Sequence, residues 1–311
     1  AIGPHALAVC GREGQVASTR AGQRLDNFLS AQLKGAPRSL IYRLIRTGQV
    51  RVNGGRAKPD TRLQAGDEVR IPPVSAPRKG ALAVPDSAIQ SIARTILHDD
   101  EDLLVVNKPS GMAVHAGSGL NWGLIDVLRA LRPQDAPELV HRLDRETSGC
   151  LLVAKNTQVA RQLGDQFRKR ETEKRYLCLM DGRMPEARLE VDQPLQKAER
   201  SGERYMRVAE AGKTARTAFS ELQVYGGRSF TEAVPHTGRT HQIRAHAAFL
   251  ELPLAGDRRY LPKGRIEAWH NRGLERLFLH AHFLSFLAPS GELLEVHAPL
   301  PDDLRDVLNR L

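Results

Sequence analysis

The stretch LVHRLDRETSGCLLVA, residues 139–154, sets Leu139-Val140 and the run Cys150-Leu151-Leu152-Val153 on either side of nine polar or small residues, His141 to Gly149. Two short apolar runs this close together predict buried strands. The polar segment between them must then be a loop with side chains offered at the edge of a sheet. Further strands are predicted outward from this point. Leu103-Leu104-Val105-Val106 and Tyr176-Leu177-Cys178-Leu179 are short apolar runs, and the segments 276–287 and 293–296 flank Pro289-Ser290-Gly291, a hairpin signal. Leu124 to Leu131 has helical spacing. From about residue 93 to 311 the chain therefore reads as an α+β domain, a large mixed, mainly antiparallel sheet with peripheral helices.

The 311 residues carry 46 Lys+Arg against 36 Asp+Glu, a net charge of +10, with 41% hydrophobic and 26% charged residues. That is a globular composition, and the length suits two domains. No apolar run approaches the roughly 18–20 residues of a membrane-spanning helix. Cys10, Cys150 and Cys178 are too scattered for a disulfide framework or a metal knuckle, which makes the cytoplasm the expected compartment.

The charge is concentrated. Residues 20–73 hold eleven Lys or Arg against Asp26, Asp60, Asp67 and Glu68, a net +7, and leave +3 for the other 257 residues. Leu25, Phe28, Leu29 and Leu33, then Leu40, Ile41, Leu44 and Ile45, predict two helices, with Arg38, Arg43 and Arg46 off the apolar stripe. Val50-Arg51-Val52 alternates like a strand and Asn53-Gly54 is a tight-turn pair. A basic helix pair followed by short strands suits an RNA-binding unit, or simply a solvated basic face. Residues 74–92, rich in proline, are expected to be a linker, and residues 1–19 a flexible extension.

Three polar clusters interrupt the second domain: Asn107 to His115, His141 to Gly149, and Thr237 to His246. The first lacks G-x-G-x-x-G and Gly-Lys-Ser/Thr, so it is a weak nucleotide loop. In the third, His236, His241 and His246 recur every five residues, which turns successive imidazoles about 140° apart on a helix and argues against a metal site. Ser148 near Asp144 could suggest a hydrolase, but the flanks are not G-x-S-x-G. Alone, Asp144 could as well cap a turn.

Together the clusters do more. HRLDRETSG, with EKRYL (173–177), GRTHQIRAH (238–246), NKPSG (107–111) and LFLHAHFLSF (277–286), resembles the RluA-type pseudouridine synthases. Residues 22–71, most specifically RSLIYRLIRTGQVRVNG, resemble an S4 domain, a small RNA-binding module. The resemblance implies an isomerase that cleaves the N1–C1′ bond of specific uridines, expected in 23S ribosomal RNA, and rejoins the base through C5. The alternatives are another structured RNA such as transfer RNA, or a non-catalytic RNA-binding assembly factor. It implies Asp144 as the catalytic carboxylate and Tyr176 as the residue that stacks on uracil and takes the C5 proton. Arg244 would pair with Asp144, or else clamp a phosphate. Arg142 is expected to hold or replace the flipped nucleotide, with His115, Thr240 and His241 lining the pocket. Arg38, Arg43, Arg46 and Arg51 are the expected phosphate contacts of the S4 domain. The reaction exchanges no electrons or external groups, so no cofactor and no metal are expected, nor a membrane partner, and a monomer is the default.

Overall fold

A computed structural model describes residues 12–16, 21–33, 38–73, 84–116, 122–200 and 202–311, and the chain divides into two units, Ala1–Ala83 and Val84–Leu311. In the first, strand β1 (Arg12–Gln15) precedes helices α1 (Leu25–Gln32) and α2 (Arg38–Arg46), then strands β2 (Arg51–Val52) and β3 (Glu68–Ile71). Leu25, Phe28 and Leu29 of α1 and Ile41, Leu44 and Ile45 of α2 close one core with Val50, Leu63 and Val69, as their spacing predicts. Gly48, at φ +71°, ends α2 where a residue with a Cβ would be strained. Asn53 and Gly54 both have positive φ and turn the chain between Val52 and Gly55, which exchange backbone hydrogen bonds of 3.1 and 2.9 Å.

Two expected boundaries move. Residues 12–15, assigned by sequence to a flexible extension, form β1 and pair antiparallel with β3, and Val16 enters the core. Of the expected linker 74–92, residues 74–83 lie outside the described residues, while helix α3 (Asp86–Ala93) begins directly after Pro85. Ile92 is fully buried and Ile89 packs beside it, so the helix belongs to the second core and the linker is shorter than expected.

The second unit continues with β4 (Ile96–Asp99), β5 (Leu103–Lys108), α4 (Leu124–Leu131), β6 (Glu138–Leu139), β7 (Ser148–Ala154), α5 (Thr157–Lys169), β8 (Glu173–Leu179) and β9 (Arg188–Asp192). It is completed by β10 (Leu195–Arg200), β11 (Glu203–Val208), β12 (Arg216–Tyr225), β13 (Arg228–Pro235), α6 (Gln242–Phe249), α7 (Lys263–His270), β14 (Leu279–Leu287), β15 (Leu293–His297) and α8 (Asp302–Asn309). Among the described residues, ten strands form one sheet along the path β4-β5-β7-β14-β8-β13-β12-β9, with β15 on β14 and β6 on β7. All these pairings are antiparallel except β14 with β7, so the sheet is mixed and mainly antiparallel as expected. Strands β10 and β11 make a separate hairpin.

The middle strands are apolar on both faces because both faces are covered. Leu104, Val106, Leu151 and Val153 pack with α3 and α4, while Leu103, Val105, Leu152 and Ala154 pack with Val159 and Leu163 of α5. Gly149 closes the polar loop at the parallel contact. Its φ is +114°, and a Cβ there would lie 2.2 Å from the Ala281 carbonyl oxygen, so only glycine lets β7 reach β14.

Candidate active site

The loop between β6 and β7 carries Asp144 to the wall of a cavity of about 610 Å³. Strand β8 contributes Tyr176 to the same cavity, and Thr240, His241 and Arg244 reach it from the turn before α6 and from α6 itself. The structure thus brings together residues up to a hundred positions apart. The Asp144 carboxylate is about one-fifth exposed, and its Oδ2 lies 3.8 Å from both Arg244 Nη1 and His241 Nε2. At that distance the groups attract each other without forming a direct hydrogen bond.

Arg244 has a stronger partner that the sequence reading lacked. Its Nε and Nη2 each donate to the Asp257 carboxylate at 2.7 Å, a bidentate pair in which Arg244 is 2% exposed and Asp257 0%. Glu146 Oε2 lies 3.4 Å from Nη2, and the guanidinium carbon sits 5.4 Å from the centre of the Tyr260 ring. Burial works against the charge, but the hydrogen bonds and attraction of Asp257, reinforced by Asp144 and Glu146, raise Arg244 above the ordinary arginine value. The guanidinium is therefore a fixed positive charge, held by Asp257 and presented to Asp144. The one sequence cue to Asp257 was indirect: a buried arginine requires a carboxylate.

His241 occupies the N-cap of α6 at φ +51°, a left-handed conformation rare outside glycine, with no side-chain capping bond. Burial first, then the neighbouring Arg244 charge, holds it down at about 4, so its imidazole is neutral at pH 7. Its Nδ1 is 3.4 Å from the Tyr260 hydroxyl, which also donates to the Met206 carbonyl at 3.0 Å and so links the site to the β10–β11 hairpin. Burial, and then the negative charge of Asp144, raises the Tyr176 phenol above its usual value.

Lys108 is fully buried at the end of β5. Its ammonium donates to the carbonyls of Pro109 and Met112, both at 2.9 Å, and of Arg145 at 3.2 Å. Burial pulls it down to about 7 against the opposing attraction of Asp144. With the Ser110 hydroxyl donating to the Glu146 carbonyl at 2.6 Å, it ties the Asn107–Gly111 segment to the backbone of the two residues that follow Asp144.

The remaining expected residues separate. Arg142 is exposed on the cavity wall and Thr240 is exposed beside it, whereas His115 is exposed and is not among the residues lining the cavity. Arg239 of the third cluster also lines it, as do three cations that the sequence does not single out, Arg168, Arg170 and Lys174. Ser148 is 2% exposed and shares a 2.9 Å hydrogen bond with His280 Nδ1, which removes it from any substrate. The three evenly spaced histidines diverge: His236 is exposed, His241 faces the cavity, and His246 is buried between the Thr217 hydroxyl at 2.8 Å and the Gln193 carbonyl at 3.0 Å. In the first unit Arg43 and Arg46 are exposed on α2, and Arg51 is half-buried on β2. The Arg38 side chain lies outside the described residues.

Residues 102–249 match the RNA pseudouridylate synthase family, and residues 23–69 match the S4 domain. The chain is 47% identical over 302 residues to the ribosomal large subunit pseudouridine synthase C of Pasteurella multocida, covering 95% of this chain and 92% of that protein. It is 46% identical over 305 residues to the protein of the same name from Escherichia coli strain K12, covering 95% of each. Among solved structures, human RNA pseudouridylate synthase domain containing 4 superposes with a TM-score of 0.61 at 28% identity, covering 72% of this chain and 95% of that one.

Proposed function

The chain belongs to the RNA pseudouridylate synthase family and carries an S4 domain, and on that premise we propose that it converts specific uridines of 23S ribosomal RNA to pseudouridine. It is an isomerase. The N1–C1′ bond breaks, the uracil turns, a C5–C1′ bond forms, and the proton that leaves C5 is balanced by one gained at N1. The observation that carries the residue assignment is the position of Asp144, a partly exposed carboxylate on a cavity wall between a fixed arginine and a neutral histidine.

In this reading Asp144 is the catalytic carboxylate that enables glycosidic cleavage. Arg244 orients it without consuming an oxygen in a tight pair, because Asp257 satisfies the guanidinium first. Tyr176 stacks on the uracil. Its raised phenol, which keeps its proton at neutral pH, favours that role over acting as the base at C5. His241 and Thr240 line the base pocket, and Arg142 at the cavity wall holds the strand from which the uridine is flipped, a step that costs a few kcal/mol of unstacking. The arginines of the S4 domain, with Arg168, Arg170 and Lys174, meet phosphates. We place the enzyme in the cytoplasm with its RNA, acting as a monomer without a cofactor.

The test is release of tritium to water from ribosomal RNA labelled at uridine C5. Release is expected from unmodified large-subunit RNA and should vanish with Asp144→Ala, while RNA binding persists. Release from transfer RNA alone would overturn the target, no release from any RNA would overturn the isomerase reading, and equal loss of release and binding in Asp144→Ala would make Asp144 structural.

A further inference from the structure

The first unit contains a second cavity, of about 630 Å³, lined by Tyr42, Arg43, Ile45, Arg46, Arg56, Ala57, Lys58 and Pro59. Its size falls within the roughly 300–1,000 Å³ of small-ligand sites. Phosphate binding by a basic helix needs only cations spread over a surface, yet this cavity combines four cations with a large aromatic ring. Tyr42 is 43% exposed, one of the few large apolar side chains left open to solvent among the described residues.

The ring is also held in place. The Tyr42 hydroxyl donates to Asp26 Oδ2 at 2.9 Å, and Arg24 donates to both oxygens of the same carboxylate, at 3.1 and 2.9 Å. The hydrogen bonds from Arg24 and Tyr42 hold the Asp26 carboxyl at about 2, so the tether is intact throughout the neutral range. An exposed phenol fixed by its polar end, among Arg43, Arg46, Arg56 and Lys58, presents a flat apolar face to anything that brings negative charge with it. An unpaired nucleotide does both, with a base to stack and phosphates to pair.

We propose that the S4 domain captures one unpaired base of the RNA on the Tyr42 ring, while Arg43, Arg46, Arg56 and Lys58 hold its phosphates. The site thereby recognises a bulge or junction instead of a continuous duplex. This rests on the RNA reading of the domain and adds to it a structural preference for which an arginine face alone gives no reason. It also separates recognition from chemistry, since the base held here is not the uridine that is isomerised.

The test uses the full chain and two hairpin RNAs, one with a fully paired stem and one carrying a single bulged 2-aminopurine. Wild type should quench the 2-aminopurine and prefer the bulged RNA. Tyr42→Ala should abolish the quench and weaken bulge binding by about tenfold to a hundredfold, the worth of one stacked base. Its affinity for the paired stem and its salt slope should be unchanged. Tyr42→Phe, which keeps the ring and loses the tether to Asp26, should retain most of the quench. Arg46→Ala should weaken both RNAs and lower the salt slope by about one. Equal weakening of both RNAs by Tyr42→Ala, or an unaltered quench, would overturn the proposal. Wild type that binds neither RNA above background would overturn the RNA reading itself. Tritium release, measured separately, reports on the catalytic domain and so distinguishes these failures from failure of the isomerase.

Discussion

Replacing Asp257 by asparagine tests the central feature of the site, a guanidinium fixed by one carboxylate and offered to another. The substitution keeps the shape and removes the charge that Arg244 meets at 2.7 Å in a position with no solvent exposure. Leaving a buried ion without its partner costs about 3–5 kcal/mol. Glu146 at 3.4 Å and Asp144 at 3.8 Å remain to compensate in part, which puts the expectation at the lower end. For a unit of this size about 3 kcal/mol corresponds to a fall in melting temperature of roughly 6–12 °C. Arg244 is then free to close on Asp144, occupying an oxygen the reaction needs, so kcat for tritium release should fall more than tenfold with KM little altered. The double variant Arg244→Met, Asp257→Leu separates folding from function. Removing both charges together should restore most of the melting temperature, while kcat stays depressed by roughly 10²–10³, the worth of one positioned donor. Calorimetry of the purified full chain and single-turnover tritium release give the two readouts. A double variant that regains its rate along with its stability would show that Arg244 serves only the fold. Asp257→Asn melting within 2 °C of wild type at full rate would refute the positioning argument altogether.

Lys108→Met should destabilise the second domain by about 2–4 kcal/mol, because three carbonyls around the buried ammonium lose their donor; urea midpoints unchanged from wild type would contradict it. His241 and His280 are held at about 4 by burial, below the ordinary histidine value of 6.5. The unfolded chain therefore takes up protons below pH 6.5 that the folded chain refuses, so stability should fall as pH drops from 6.5 toward 4, by up to about 1.4 kcal/mol per pH unit for each histidine. Denaturation midpoints that stay flat between pH 6.5 and 4.5 would refute that. Deleting residues 1–83 should flatten the salt dependence of RNA binding by several phosphate contacts, as read by titration from 50 to 200 mM salt; an unchanged slope would reduce the basic unit to a solvated face.

What the sequence disclosed and what it hid have the same physical origin. Strands β5 and β7 were legible because a sheet covered on both faces demands continuous apolar runs, and α1 and α2 because one buried face demands the 3.6 period. Strand β13 was hidden. Its fully enclosed positions hold Ser229, Thr231 and Ala233, while Phe230 and Val234 fall on the half-buried face, so hydropathy alternation is blurred where the backbone alternates cleanly. Those small inward residues find partners the sequence does not announce: Ser229 accepts from the Met184 amide at 2.8 Å and Thr231 donates to the Cys178 carbonyl at 3.2 Å. Helix α3 is hidden in the sequence because Pro85 continues the run of prolines before it, although a proline immediately ahead of Asp86 suits a helix start.

The site divides along the same line. Asp144, Tyr176 and Arg244, which the structure brings to one cavity, stand in strings that single them out in the sequence. Asp257 and Lys108 hold no cavity position of their own, and act through another group. Asp257 fixes the arginine, and Lys108 fixes the backbone of Arg145, the residue after Asp144. Residues of that kind are defined by a contact across the fold, 13 positions away for Asp257 and 37 for Lys108, and neither separation matches a helix or strand repeat. A buried charge is nonetheless a constraint that can be reasoned from: once Arg244 is placed inside, at least one acid must be inside with it. A bidentate pair would engage both oxygens of Asp144, which sits poorly with its proposed role as the catalytic carboxylate. The geometry supplies a second carboxylate, Asp257, and under the proposed function it is this division between a structural acid and the acid at the cavity wall that would let a single arginine both stabilise the core and orient the reaction.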